Sequence, residues 1–181
     1  IIANTAPVVT FGFSPFSFSI LSYCIYSITM IKTEITGIGY YVPEQVITNK
    51  DLEQKMDTTN EWIVSRSGIQ ERHWVRNGMC TSDLAFEASK KAMEAANVSP
   101  KEIDLVIVGT ISSDYFFPGV SAQLQDLLGL NNVGAFDIKA ACSAFVYTLS
   151  IGDQFIRSGM YDTILIVGAE VQSRYLNISS E

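Results

Sequence analysis

The stretch VGAFDIKAACSAFVYTLSIGDQFIRSG, residues 133–159, decides how the rest of the chain is read. Val133 to Ile138 suits a strand. Phe145, Leu149, Gly152 and Ile156 then recur at helical spacing along a segment from about Ser143 to Ser158, which Gly159 ends. Cys142 falls at the junction, where a strand gives way to the first turn of a helix. Working outward, Leu105 to Val108 and Thr163 to Val167 are unbroken aliphatic runs of the kind found in strands covered on both faces. Between them Val120 to Leu128 reads as a helix stopped by Gly129. Strands alternating with helices predict a layered α/β domain with a mixed, mostly parallel sheet flanked by helices.

Farther upstream, Thr81 or Ser82 caps a helix running to Asn97, with Leu84, Ala85, Ala88, Ala92 and Ala96 as a small-residue face suited to close packing. Thr58 and Glu61 form a Thr-x-x-Glu box opening a helix that Gly68 closes, and Thr48 starts a shorter one through Met56. Ile31 to Ile38 suits a short strand, broken by Gly37, Gly39 and Pro43 and followed by a turn region.

The 181 residues, 48% hydrophobic and 17% charged, make one domain the expectation. A net charge of −7 offers no basic stripe for a phosphate backbone, so no nucleic-acid partner is expected. Three scattered cysteines, Cys24, Cys80 and Cys142, have no metal-ligand spacing and read as reduced thiols in a cytosol-like compartment. The composition changes at Lys32, before which no residue is charged. Residues 1–29 are read as an extraneous or upstream leader with Met30 as the natural start, leaving 30–181 as the folded unit. A membrane anchor from Val8 to Ile28 is the alternative, weakened by its serines, Gly12 and Pro15.

Four motifs bear on chemistry. Gly37-Ile38-Gly39 mimics a dinucleotide fingerprint but lacks its third glycine, and Pro43 stands where the phosphate-binding helix would open, so a plain turn is the better reading. Cys142 at a helix start is placed to be a thiolate nucleophile, with small neighbours leaving room for an acyl group and backbone amides for an oxyanion. A packed core cysteine is the alternative. Trp62 and Arg66, four apart, share a helix face and could stack on a base and fork to a phosphate, or belong to an ordinary surface helix. His73, the sole histidine, lies in the polar Glu71-Arg72-His73-Trp74 connection and reads as structural.

Together these segments resemble the β-ketoacyl-acyl carrier protein synthase III family over Met30 to Glu181. The resemblance is carried by GIGYYVPE (37–44), TTNEWIVSRSGIQER (58–72), Phe117-Pro118, Ala135-Phe136-Asp137-Ile138, AACSAF (140–145) and Val167-Gly168-Ala169-Glu170, in order. It implies a thiolase-like fold of two similar halves, of which this chain is the first, in a cytoplasmic or plastid-stromal homodimer with no membrane association. It implies that Cys142 accepts an acyl group from acetyl-CoA or another short acyl-CoA, then condenses it decarboxylatively with malonyl-acyl carrier protein, with no cofactor. Trp62, Arg66 and Thr58 match positions that hold coenzyme A, and Phe117 matches one that crosses the dimer interface to close the partner's acyl pocket. The family's decarboxylating His and Asn are expected in the other half. Ala144 stands where a glycine is common, which bears on pocket width and primer choice. A condensing enzyme of polyketide metabolism, or a non-catalytic interaction module, are the competing readings.

Overall fold

The aliphatic runs form the centre of the sheet. The computed structural model describes residues 2–4, 31–76 and 78–176. In it, strand β5 (Leu105–Gly109) lies parallel to β6 (Gly134–Ile138) on one side and to β7 (Thr163–Gly168) on the other. Register pairs Val106 with Leu165 and Ile107 with Ile166, so the alternating side chains of both strands point the same way. Val106, Val108, Leu165 and Val167 face one layer, formed by helices α3 (Thr81–Ala96) and α4 (Val120–Leu127), and pack with Ala85, Met93, Val120 and Leu124. Leu105, Ile107 and Ile164 face the other, where Ile156 of α5 (Ala144–Arg157) covers them. Every residue of β5 is buried, which is why its sequence shows no polar alternation.

The sheet is completed by two short strands, β1 (Ile2–Asn4) and β2 (Thr33–Ile35), in the order β2-β1-β7-β5-β6. β1 runs antiparallel to both neighbours, pairing Ile2 with Ile35 and with Ile164. This departs from the expectation that residues 1–29 stand apart from the fold: three of them supply backbone to the sheet. A three-residue strand is recruited by the edges it pairs with and has no periodicity of its own to read. The remainder of that segment, including the anchor reading of Val8 to Ile28, lies outside the described residues.

A second unit of structure was not anticipated. Strand β3 (Gln45–Thr48) pairs antiparallel with β4 (Glu71–Trp74), so the supposed turn region and the polar connection around His73 are two strands. Helices α1 (Asn49–Glu53) and α2 (Asn60–Ser67) lie between them in sequence, which removes the local turn signal of a hairpin. Thr48 caps α1 with a reciprocal box to Asp51, as expected. The cap of α2 is Thr59, whose hydroxyl accepts from Trp62 N–H at 3.1 Å, one residue beyond the expected Thr58. Gly68 ends that helix in the left-handed region at φ 72°.

Helix α3, by contrast, is capped before the expected Thr81 or Ser82. Its N-cap is Cys80, whose backbone N–H donates to Asp83, while the amides of Thr81 and Ser82 donate to Asp114, a residue from a distant loop. Its small face packs on the sheet through Ala85, as expected, and also takes the chain at Gly37 and Gly39 against Ala92. A Cβ on Gly37 would sit 2.4 Å from Ala92 O, and one on Gly39 2.3 Å from Ala92 N, so these glycines are there for backbone-to-helix contact.

Candidate active site

Cys142 sits where β6 has ended and α5 has yet to begin. Residues Ala141–Ser143 form a single 3-10 turn, and α5 starts at Ala144, one residue later than expected. Ala141 is held at φ 47°, a left-handed conformation that an alanine adopts only when its surroundings impose it. That bend turns the chain sharply, leaving Cys142 exposed at the mouth of the turn. No side chain caps α5; the Ser143 and Ala144 N–H groups donate instead to Ala140 O and Ala141 O of the preceding turn.

Cys142 lines a cavity of about 650 Å³. Ala141, Phe145, Gly168 and Glu170 share its wall, and Gly39, Ser89 and Ala92 close the opposite side. The walls are mostly apolar and small, which suits an acyl chain more than a charged group. Ser89 is 2% exposed and its hydroxyl oxygen has no hydrogen-bond partner.

Three carboxylates hold the frame around this cavity. Glu170 accepts from Ile111 N–H at 2.7 Å and from the Ser112 hydroxyl at 2.5 Å, joining the end of β7 to the start of the loop after β5. Asp114, in that loop, accepts from the first amides of α3 at 2.7 and 3.1 Å. Asp137 of β6 accepts from Val120 and Ser121 N–H at the start of α4, both at 2.8 Å, fixing the loop's other end. These roles went unread in the sequence: Glu170 and Asp137 appeared there only as parts of motifs, and Asp114 not at all. Their partners are 16 to 59 residues away, beyond the reach of any local pattern.

Between those fixed ends the loop presents Tyr115, Phe116 and Phe117 to solvent, the last two 97% and 85% exposed. Phe117 lines a second, shallow groove of about 300 Å³ with Phe136 and Lys139. It does not line the cavity of its own Cys142.

Trp62 and Arg66 do share a face of α2, the guanidinium carbon 5.8 Å from the indole centre. Helix α2 has no buried residue, and Trp62 is 59% exposed, so the pair is displayed rather than packed. Thr58 precedes that helix and is half-buried. None of the three lines the cavity of Cys142. His73 on β4 donates from Nδ1 to Pro43 O at 2.6 Å, in keeping with a structural role. Cys80 is a different thiol from Cys142: burial, then the nearby Asp114 charge, raises its pKa, although the Arg174 guanidinium donates to its sulfur at 3.4 Å. Among the described residues no group of His, Cys, Asp and Glu could hold a metal ion, and no helix is long and apolar enough to cross a membrane.

Comparison with known proteins bears on this arrangement directly. The family model for 3-oxoacyl-[acyl-carrier-protein] synthase III matches residues 136–181, the segment containing Cys142. The β-ketoacyl-[acyl-carrier-protein] synthase III of Xanthomonas campestris pv. campestris is 52% identical over 147 residues, covering 81% of this chain and 45% of that protein. The crystal structure of 3-oxoacyl-[acyl-carrier-protein] synthase III from Aquifex aeolicus superposes with a TM-score of 0.77 at 41% identity, over 81% of this chain and 47% of that one. The priming β-ketosynthase of the R1128 polyketide biosynthetic pathway gives a TM-score of 0.77 at 33% identity, over 81% and 44%. The chain thus spans about half the length of the curated relatives it matches. Its layered α/β architecture is thiolase-like, and the chain belongs to the β-ketoacyl-acyl carrier protein synthase III family.

Proposed function

We propose that this chain supplies the acyl-accepting part of a 3-oxoacyl-acyl carrier protein synthase III. The sulfur of Cys142 attacks the thioester carbonyl of a short acyl-CoA such as acetyl-CoA, and the tetrahedral intermediate collapses with loss of coenzyme A as its thiol. The acyl group is left on Cys142 as a thioester, and backbone amides adjacent to the sulfur are the candidate oxyanion donors. Condensation then replaces that thioester by a carbon-carbon bond to the carbanion that malonyl-acyl carrier protein forms on losing carbon dioxide. The groups that promote decarboxylation belong to the rest of the full-length protein in this reading. No cofactor is needed beyond the substrates.

The observation that supports this reading most is the exposed Cys142 at a strained strand-to-helix turn, opening on an apolar cavity. Trp62 and Arg66 on α2 are assigned to the adenine and phosphate end of coenzyme A, with Thr58 beside them; their display on an otherwise unburied helix fits a ligand contact. Phe117 is assigned to a second copy of the protein, its extreme exposure being what an interface residue shows before assembly. This assignment implies a homodimer, which in this reading is cytoplasmic. The likeness to a priming β-ketosynthase at the same TM-score keeps a polyketide-type primer as the second reading.

The test is transfer of a radiolabelled acyl group from acyl-CoA to the full-length protein. Label should appear on the peptide containing Cys142 and be absent from the Cys142→Ser variant. Comparing acetyl-CoA with branched or longer acyl-CoA then separates the two readings. A serine variant that takes label as well as the parent would rule both out.

A further inference from the structure

We propose that Glu170 is a positioning residue that sets primer selectivity by fixing the loop on which Phe117 is carried; the inference rests on the function proposed above. Glu170 stands at a crossing point. The residue lines the Cys142 cavity, and both its carboxylate oxygens are engaged with the neighbouring loop, through Ile111 N–H at 2.7 Å and the Ser112 hydroxyl at 2.5 Å.

Ser112 is 4% exposed and passes the connection on. Its Oγ accepts from Val171 N–H at 2.8 Å, and its carbonyl accepts from the buried Thr81 hydroxyl at 2.5 Å. The loop's first residues are therefore tied at once to the end of β7 and to the start of α3. Charge-assisted bonds of this length are the strong class, and two of them to one short segment leave it little freedom. Downstream, Asp114 and Asp137 tie the loop to α3 and to α4. Tyr115, Phe116 and Phe117 project between these ties, 64%, 97% and 85% exposed.

The consequence is mechanical. A side chain that closes an acyl pocket selects by where its ring stops, and that depends on the backbone that carries it. Glu170 is the anchor that links this backbone to the segment bearing the cavity wall. A shift of the loop would widen or narrow the pocket that Phe117 closes, without touching the sulfur that does the chemistry.

The experiment uses the full-length enzyme and compares kcat/KM for a two-carbon and a branched five-carbon acyl-CoA. Glu170→Ala is expected to change the ratio of the two by about five- to tenfold, within the range that small differences in an apolar pocket produce. Glu170→Gln keeps an acceptor for Ile111 N–H and should change it in the same direction by less. In a Phe117→Ala background the Glu170→Ala effect on the ratio should vanish, since coupled residues act through one another. An unchanged ratio in a folded Glu170→Ala, or in Glu170→Gln should the alanine variant not fold, overturns the proposal. So does a ratio effect that persists undiminished without the Phe117 ring. A parent enzyme whose Cys142 takes no acyl group from any acyl-CoA would sink the underlying function, and the inference with it, and is recognised before any variant is compared.

Discussion

Gly109 and Ala144 meet where β5 ends and α5 begins, so closely that a Cβ on Gly109 would lie 2.9 Å from the Ala144 methyl carbon and 3.0 Å from its carbonyl carbon. The Gly109 backbone thus meets both the methyl and the backbone of Ala144, and this contact sets how closely the start of α5 approaches the sheet. Gly109→Ala should therefore push the start of α5 outward at a cost of about 1–3 kcal/mol, as overpacking of a filled core does. Acyl transfer to Cys142 should fall further than the melting temperature implies. Full activity at an unchanged melting temperature would mean that the helix start is not fixed by this contact.

Cys142 should be alkylated before Cys80 by limiting iodoacetamide at neutral pH. Cys142 is exposed, whereas burial and then Asp114 raise the Cys80 thiol above its ordinary value. A raised thiol pKa means less thiolate at any given pH, so Cys80 labelling should keep accelerating as pH rises past about 8.5. Peptide mapping of the labelled protein across that range checks both statements. Faster labelling of Cys80 at neutral pH would contradict them.

Trp62→Ala and Arg66→Ala should each raise the acyl-CoA concentration needed for half-maximal acylation by about tenfold, the equivalent of roughly 1.4 kcal/mol of ligand contact. Because α2 buries none of its residues, thermal stability should change little. A large drop in melting temperature would make the pair structural instead.

The aromatic tip should make the protein associate. Phe116 and Phe117 are exposed side by side, and Val146 and Tyr147 of α5 add further exposed apolar surface at 63% and 53%. Phe116→Ser with Phe117→Ser is expected to shift sedimentation of the full-length protein from dimer toward monomer. A parent that sediments as a monomer would remove the interface assignment.

Removal of residues 1–29 tests the contribution of β1, which lies between β2 and β7. Losing its backbone bonds should speed hydrogen exchange at Thr33–Ile35 and at Thr163, and lower the melting temperature by about 2–4 °C for each kcal/mol lost. The parallel strands and their covering helices should remain cooperative. Unchanged exchange at those amides would return the segment to the role of a passive leader.

What the sequence determined by itself was the frame. Strands β5 and β7 were legible as apolar runs because burial on both faces leaves no polar alternation, β6 as the strand-like segment before Cys142, and α3, α4 and α5 as apolar stripes ended at Asn97, Gly129 and Gly159, which adopt positive φ. Cys142 was legible because it stands at the only point of residues 133–159 where period two gives way to period 3.6. What tertiary structure alone decided were the partners. β3 and β4 pair across two intervening helices, Asp114 caps a helix 32 residues away, and Glu170 bonds a loop 59 residues before it. Such bonds are made by whichever donors the fold brings within about 3 Å of a carboxylate. That proximity is a property of packed elements, not of the residues flanking each acid.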